Sequence, residues 1–130
     1  MILTMKKIIN SDKAPAPIGP YSQAVKSGNT LYVSGQIPID QSIGNLKEGS
    51  IEEETDQVMK NIGYILEEAG LTFENVLKCS IFVSDMGNFA RINEIYGKYF
   101  TVNPPARETV EVSGLPKGVN VEISCIAQFS

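Results

Sequence analysis

Histidine and tryptophan are absent from the chain, and cysteine occurs only twice in 130 residues. Without histidine there is no Ser–His nucleophile, no imidazole metal ligand and no imidazole pH switch. Cys79 and Cys125 lie in apolar, alternating segments without a Cys-x-x-Cys spacing, so they read as reduced core residues of a cytoplasmic protein rather than as a disulfide. Positive charge is also scarce. Eleven Lys and Arg stand against fifteen Asp and Glu, a net charge of -4, and the longest basic run is Lys6-Lys7. Phosphate backbones need a cationic surface, so this balance argues against a nucleic-acid partner. No hydrophobic run is long enough to span a membrane. The leader Met1-Ile2-Leu3-Thr4-Met5 lacks the basic start and apolar core of a secretory signal, and Met5 is an alternative start. With 42% hydrophobic and 20% charged residues, the chain reads as one domain over 1–130. A domain of that size buries about two-thirds of its unfolded surface.

Gly, Pro and Asn divide the rest into elements. Lys6–Ile9 reads as a short strand, and the proline-rich 11–17 as an irregular segment. A hairpin is expected from Ser22–Lys26 and Thr30–Gln36, turned by Ser27-Gly28-Asn29. Within its second strand, alternation puts Leu31, Val33 and Gly35 on one face and Thr30, Tyr32, Ser34 and Gln36 on the other. Gly35 inside a strand points to a bulge or a close approach. Pro38–Gly49 reads as a polar loop. Ser50 and Glu53 fit a capping box, the stripe Ile51, Thr55, Val58, Ile62, Ile65, Leu66 and Ala69 predicts a core helix, and Gly70 ends it. Val76–Val83 is the next strand, and strand–helix–strand predicts a crossover between parallel neighbours. Asp85 is placed to cap a second helix running to about Phe100, with Phe89, Ile92, Tyr96, Tyr99 and Phe100 as its stripe and Asn93 falling inside it. The order β-β-β-α-β-α-β-β predicts an α+β domain, a mixed sheet with two helices on one face.

Residues 103–123 carry the residues of most chemical interest. Ala106–Val112 and Val119–Phe129 read as strands joined by a turn at 113–118. Arg107 follows the rigid Pro104-Pro105, and Glu122 sits between Val121 and Ile123. Neighbouring strands, or the same strands of an adjacent subunit, could bring the two to one pocket that holds a carboxylate on the guanidinium and a water beside the glutamate. The plain alternative is a surface arginine and an edge-strand glutamate.

Pro105-Ala106-Arg107, Val110-Glu111-Val112, Leu115-Pro116 and Val121-Glu122-Ile123 together resemble the signature of the reactive intermediate deaminase family (RidA, also called YjgF). Ile18-Gly19-Pro20-Tyr21-Ser22-Gln23-Ala24, Ser34-Gly35-Gln36-Ile37-Pro38 and Phe82-Val83-Ser84-Asp85-Met86 extend the resemblance, in the family's order, over nearly the whole chain. The resemblance implies a chorismate-mutase-like fold and a homotrimer around a central barrel. It implies hydrolysis of 2-enamino and 2-imino acids, such as 2-aminoacrylate and 2-iminobutanoate, to 2-keto acids and ammonia, without metal or cofactor. Arg107 would anchor the substrate carboxylate and Glu122 would orient water and move protons. Tyr21 would wall the pocket, Ser34 and Gly35 would line its floor, Asn93 would supply an amide contact, and Thr109 would offer backbone groups. Each has a simpler alternative: Glu122 in a structural ion pair with Arg107 or a lysine, Tyr21 packed on the core, Ser34 as a sheet hydroxyl, Asn93 bonded to backbone. Two positions depart from the family pattern. Thr109 stands where cysteine is common, and Glu108 where a small or apolar residue is usual, although alternation points Glu108 away from Arg107. A second function fits the same residues, a trimeric metabolite-binding protein without turnover. Ribonuclease activity, claimed for some relatives, sits poorly with net charge -4 and no histidine.

Overall fold

The computed structural model describes residues 5–130, so the leader expected over 1–5 lies outside the described residues except for Met5. Six strands form one mixed sheet: β1 (Lys7–Ile9), β2 (Ala24–Ser27), β3 (Thr30–Gln36), β6 (Val76–Val83), β7 (Ala106–Glu111) and β8 (Val121–Gln128). Their spatial order is β1-β2-β3-β8-β6-β7, antiparallel throughout except for the parallel pair β6–β7. Helices α1 (Ile51–Glu68) and α2 (Phe89–Tyr96) pack on one face, as the alternating apolar pattern predicts. Register explains the packing. Ile9, Ala24, Val33, Cys125 and Cys79 face each other across the strands, all buried beneath the helices. Ile8, Val25, Tyr32 and Ile126 form the matching row on the other face, where Tyr32 is 51% exposed.

Local chemistry fixes the longer helix. Ser50 Oγ accepts the Glu53 amide at 3.1 Å, and three glutamates occupy the positive first turn. At the other end Gly70 adopts φ +80°, and the Leu71 and Gly70 amides bond back to Leu66 and Glu67, the paired closure that a left-handed glycine allows. Both cysteines are free and buried, and burial pushes both thiols above their ordinary pKa, which leaves them inert packing groups.

Four expectations need correction. The segment 38–49 is not merely loop: β4 (Ile39–Asp40) and β5 (Asn45–Leu46) form a small hairpin, because Asp40 Oδ1 accepts both the Ser42 amide and hydroxyl and Gly44 takes φ +67°. The strands flanking α1 are not parallel neighbours, since β8 inserts between β3 and β6; the parallel neighbours are β6 and β7, joined through α2. Nor do β7 and β8 form a hairpin, because β6 lies between them and residues 116–118 turn as a short 3-10 segment. The second helix ends at Tyr96 rather than near Phe100. Asp85 caps a 3-10 turn at Met86–Asn88 that leads into α2, and Phe100 leaves the helix to pack edge-on against Phe73, 5.5 Å between ring centroids.

Candidate active site

Glu122 projects from β8 on the face opposite the helices, since it pairs with Phe82 while its neighbours Val121 and Ile123 are fully buried. It lines a cavity of about 330 Å³ together with Ile18, Tyr21, Ser34, Gly35, Ile37 and Pro116. A bulge in β3 builds the floor. The β3–β8 register shifts between Val33 and Gln36, so Ser34 and Gly35 both turn to the cavity and Gln36 turns into the core at 5% exposure. Strict alternation predicted the reverse for Gly35 and Gln36; the extra residue inverts it. The missing side chain at 35 is what makes room for the acid: a Cβ there would lie 2.8 Å from Glu122 Cδ and closer still to Oε2. Ser34 Oγ donates to the Ser22 carbonyl at 2.6 Å, which commits its proton and leaves its lone pairs as acceptors. Tyr21 stands 47% exposed at the cavity, its hydroxyl accepting the Ile18 amide at 3.3 Å. Burial raises the Glu122 pKa above the usual carboxylate range, and among the described residues no cation pairs with it. The expected alternative, an ion pair with Arg107 or a lysine, is not formed among the described residues.

Two buried amides hold the walls of this cavity. Gln23, 1% exposed, accepts the Ser11 amide at 2.7 Å and donates to the carbonyls of Ser11 and Pro15, both at 3.0 Å. That pins the proline-rich segment leading to Ile18 and Tyr21. Asn61 of α1 donates to the carbonyls of Ile37 and Ile39 at 3.1 and 2.9 Å, and accepts from Gln57 at 2.9 Å. Neither residue is singled out by sequence reasoning, although an amide inside an otherwise apolar helix stripe is a visible signal at Asn61.

Arg107, Asn93 and Thr109 lie elsewhere. Arg107 pairs in register with Cys79, so it points to the helix-covered face, from the edge strand β7. Its Nη1 donates to Asn93 Oδ1 at 2.6 Å, and its guanidinium carbon sits 5.0 and 5.4 Å from the ring centroids of Tyr96 and Phe89. Asn93 is thus bonded to the arginine, not to backbone. Thr109 points the same way two residues on, with its Oγ1 buried and unpartnered. Glu108 points to the other face as alternation predicts, where it pairs with Lys78 at 3.1 Å and accepts from the Ser80 hydroxyl; these partners lower its pKa. The acid beside Arg107 therefore does not compete for the guanidinium.

Within the chain, then, Tyr21, Ser34, Gly35 and Glu122 form one cluster, and Asn93, Arg107 and Thr109 form another, on opposite faces of the sheet with β6 between. Neighbouring strands of the same chain do not bring Arg107 to Glu122. A larger cleft of about 390 Å³, between Asp12, Lys13, Asp40 and Lys60, is less suited to chemistry: Lys13 and Lys60 are paired with Glu67 and Asp56, and Asp40 is bonded to Ser42.

A six-stranded mixed sheet under two helices, with a cavity of small-molecule size built on a glycine bulge and a half-buried acid, defines the α+β domain. Residues 11–129 match the family model described as Endoribonuclease L-PSP. The 2-iminobutanoate/2-iminopropanoate deaminase of Mus musculus is 48% identical over 123 residues, covering 95% of this chain and 91% of that protein. The crystal structure of a protein of unknown function from the conserved Rid family, from Yersinia pestis, superposes with a TM-score of 0.93 at 48% identity, covering 95% and 99% of the two chains. That of E. coli TdcF with bound serine superposes with a TM-score of 0.91 at 36% identity, covering 95% and 99%. The chain belongs to this L-PSP family, that of the RidA/YjgF reactive intermediate deaminases.

Proposed function

We propose that the protein hydrolyses 2-imino and 2-enamino acids of the 2-aminoacrylate and 2-iminobutanoate type to 2-keto acids and ammonia, at sites shared between protomers of a cytoplasmic homotrimer built around a central barrel. The observation that carries this reading is the division of labour between the two clusters. Among the described residues, one holds a half-buried carboxyl with no cation paired to it, and the other holds a guanidinium with no acid paired to it. Each is chemically incomplete alone. Arg107 lies on an edge strand, where a second copy can receive it, and the open sheet face carries Tyr32 and Val110 for another copy to cover. The deaminase activity named for the mouse relative supports the chemistry.

In this reading the substrate carboxylate takes two parallel hydrogen bonds from Arg107, a geometry lysine does not reproduce. Bound water, oriented by ionised Glu122, attacks the C=N carbon as its proton passes to the carboxylate. The protonated acid returns that proton to the nitrogen, giving a carbinolamine; the carboxylate then takes the adduct's hydroxyl proton and passes it to the same nitrogen as the C–N bond breaks, releasing the keto acid and ammonia. Ser34, able only to accept, suits the N–H of the imine. An enamine first takes a proton on carbon from solvent and gives one up from nitrogen, becoming the imine. Positioned acid–base help of this kind contributes about 10²–10⁴ in rate.

The reading is tested by generating 2-aminoacrylate with a dehydratase, adding the protein and following pyruvate release. Acceleration over buffer is expected; a folded trimer that leaves the buffer rate unchanged would remove that substrate class. A second reading, a metabolite-binding trimer without turnover, draws on the serine bound in E. coli TdcF. Glu122→Gln separates the two: loss of deamination supports the enzyme, and full retention of ligand affinity with no wild-type turnover supports the binder.

A further inference from the structure

Two arginines near α2 are treated in opposite ways. Arg91 is consumed by Glu52, with Nε and Nη2 donating to its two carboxylate oxygens at 3.0 and 2.7 Å. Arg107, by contrast, meets only uncharged partners: the Asn93 amide oxygen and the rings of Phe89 and Tyr96. Among the described residues none of the ion pairs engages it. The three partners come from one face of α2, at spacings of four and three residues. Their division of roles follows from their chemistry. An amide oxygen fixes the direction of one N–H without cancelling charge, whereas a carboxylate there would neutralise the cation. An aromatic face attracts a guanidinium electrostatically and restricts its plane. Tyr96 is nearly buried, so its ring is held by the core, while Phe89 is 37% exposed and stands at the surface.

We infer that Phe89 and Tyr96 are positioning residues for Arg107, forming with Asn93 a neutral cradle that fixes the guanidinium while leaving its charge free for an anionic ligand. This rests on the reading that Arg107 grips the substrate carboxylate, and it adds the reason that grip is pre-set. A ring removed from the cradle leaves the charge but loosens its plane, so the defect belongs in carboxylate binding.

Phe89→Leu, Tyr96→Leu and Tyr96→Phe test this with two readouts, steady-state kinetics and the ¹H–¹⁵N signal of the Arg107 Nε–H during titration with 2-oxobutanoate. In Phe89→Leu, whose site is partly exposed, KM and the 2-oxobutanoate Kd should rise about 3- to 20-fold, with a smaller change in kcat. The Arg107 signal should lose its ring-current shift. Tyr96→Leu should behave alike, and Tyr96→Phe, which keeps the ring, should restore both readouts. Phe89→Leu with wild-type KM and an unmoved Arg107 signal would overturn the inference even if the protein deaminates imines. Wild-type protein that binds 2-oxobutanoate through Arg107, more weakly in Phe89→Leu, yet turns over no imine would overturn the deaminase reading and sustain this one.

Discussion

Glu122 is the residue whose protonation the proposed chemistry uses twice, and its surroundings set the sign of its pH behaviour. Burial raises its pKa above the ordinary 4.5. Between 4.5 and the native value the folded chain holds more proton than the unfolded one, so stability falls as pH rises through that window. Glu122→Gln cannot ionise. Its stability relative to wild type, measured by urea unfolding at a series of pH values, should therefore improve as pH climbs past 4.5 and be level below it. The same substitution should lower the deamination rate about 10²–10⁴-fold. Arg107→Ala should instead weaken carboxylate binding by about 2–5 kcal/mol, read as Kd for 2-oxobutanoate. Gly35→Ala has its own signature. Its Cβ meets the flexible end of Glu122, so the carboxylate must swing aside; activity should fall far more than thermal stability.

Among the elements, sequence patterns led furthest where the code is local. The Ser50 cap, the apolar stripe and Gly70 define α1 closely, and Gly- and Pro-bounded alternation finds the six long-sheet strands to within a few residues. Arg107 and Glu122 were visible as charges in strands that are otherwise apolar or alternating. What stayed hidden depends on distant partners. Gly35 marks the bulge in the sequence, but nothing near Ser34-Gly35 fixes which of two residues is the extra one, so the inward turn of Gln36 emerges only against Cys125 and Ile123 of β8. Phe89 and Tyr96 read as core stripe because a helix pattern does not say which arginine will lie against it. Gln23 belongs to the same class, a polar residue in a strand-leading motif whose partners lie at Ser11 and Pro15. Gln23→Leu should destabilise the protein by about 2–4 kcal/mol through stranded backbone groups. It should also raise KM, because the segment carrying Tyr21 is released.

For the whole molecule, the insertion of β8 and then β6 between β3 and β7 is the decisive fact. Strand order is set by long-range pairing, which residue patterns in the two strands do not encode; it separates Arg107 from Glu122 by the width of β6, and the register, Arg107 beside Cys79 and Glu122 beside Phe82, puts them on opposite faces of the sheet. In the proposed reading, a complete site then needs two copies of the chain. The most direct test is to mix Arg107→Ala and Glu122→Gln protomers, each inactive, after dissociation and reassembly. In a cyclic trimer every hybrid contains one junction with an intact arginine facing an intact glutamate, so equal mixing should return about one quarter of wild-type activity. A mixture that forms hybrid trimers and stays as inactive as its parents would contradict a site shared between protomers.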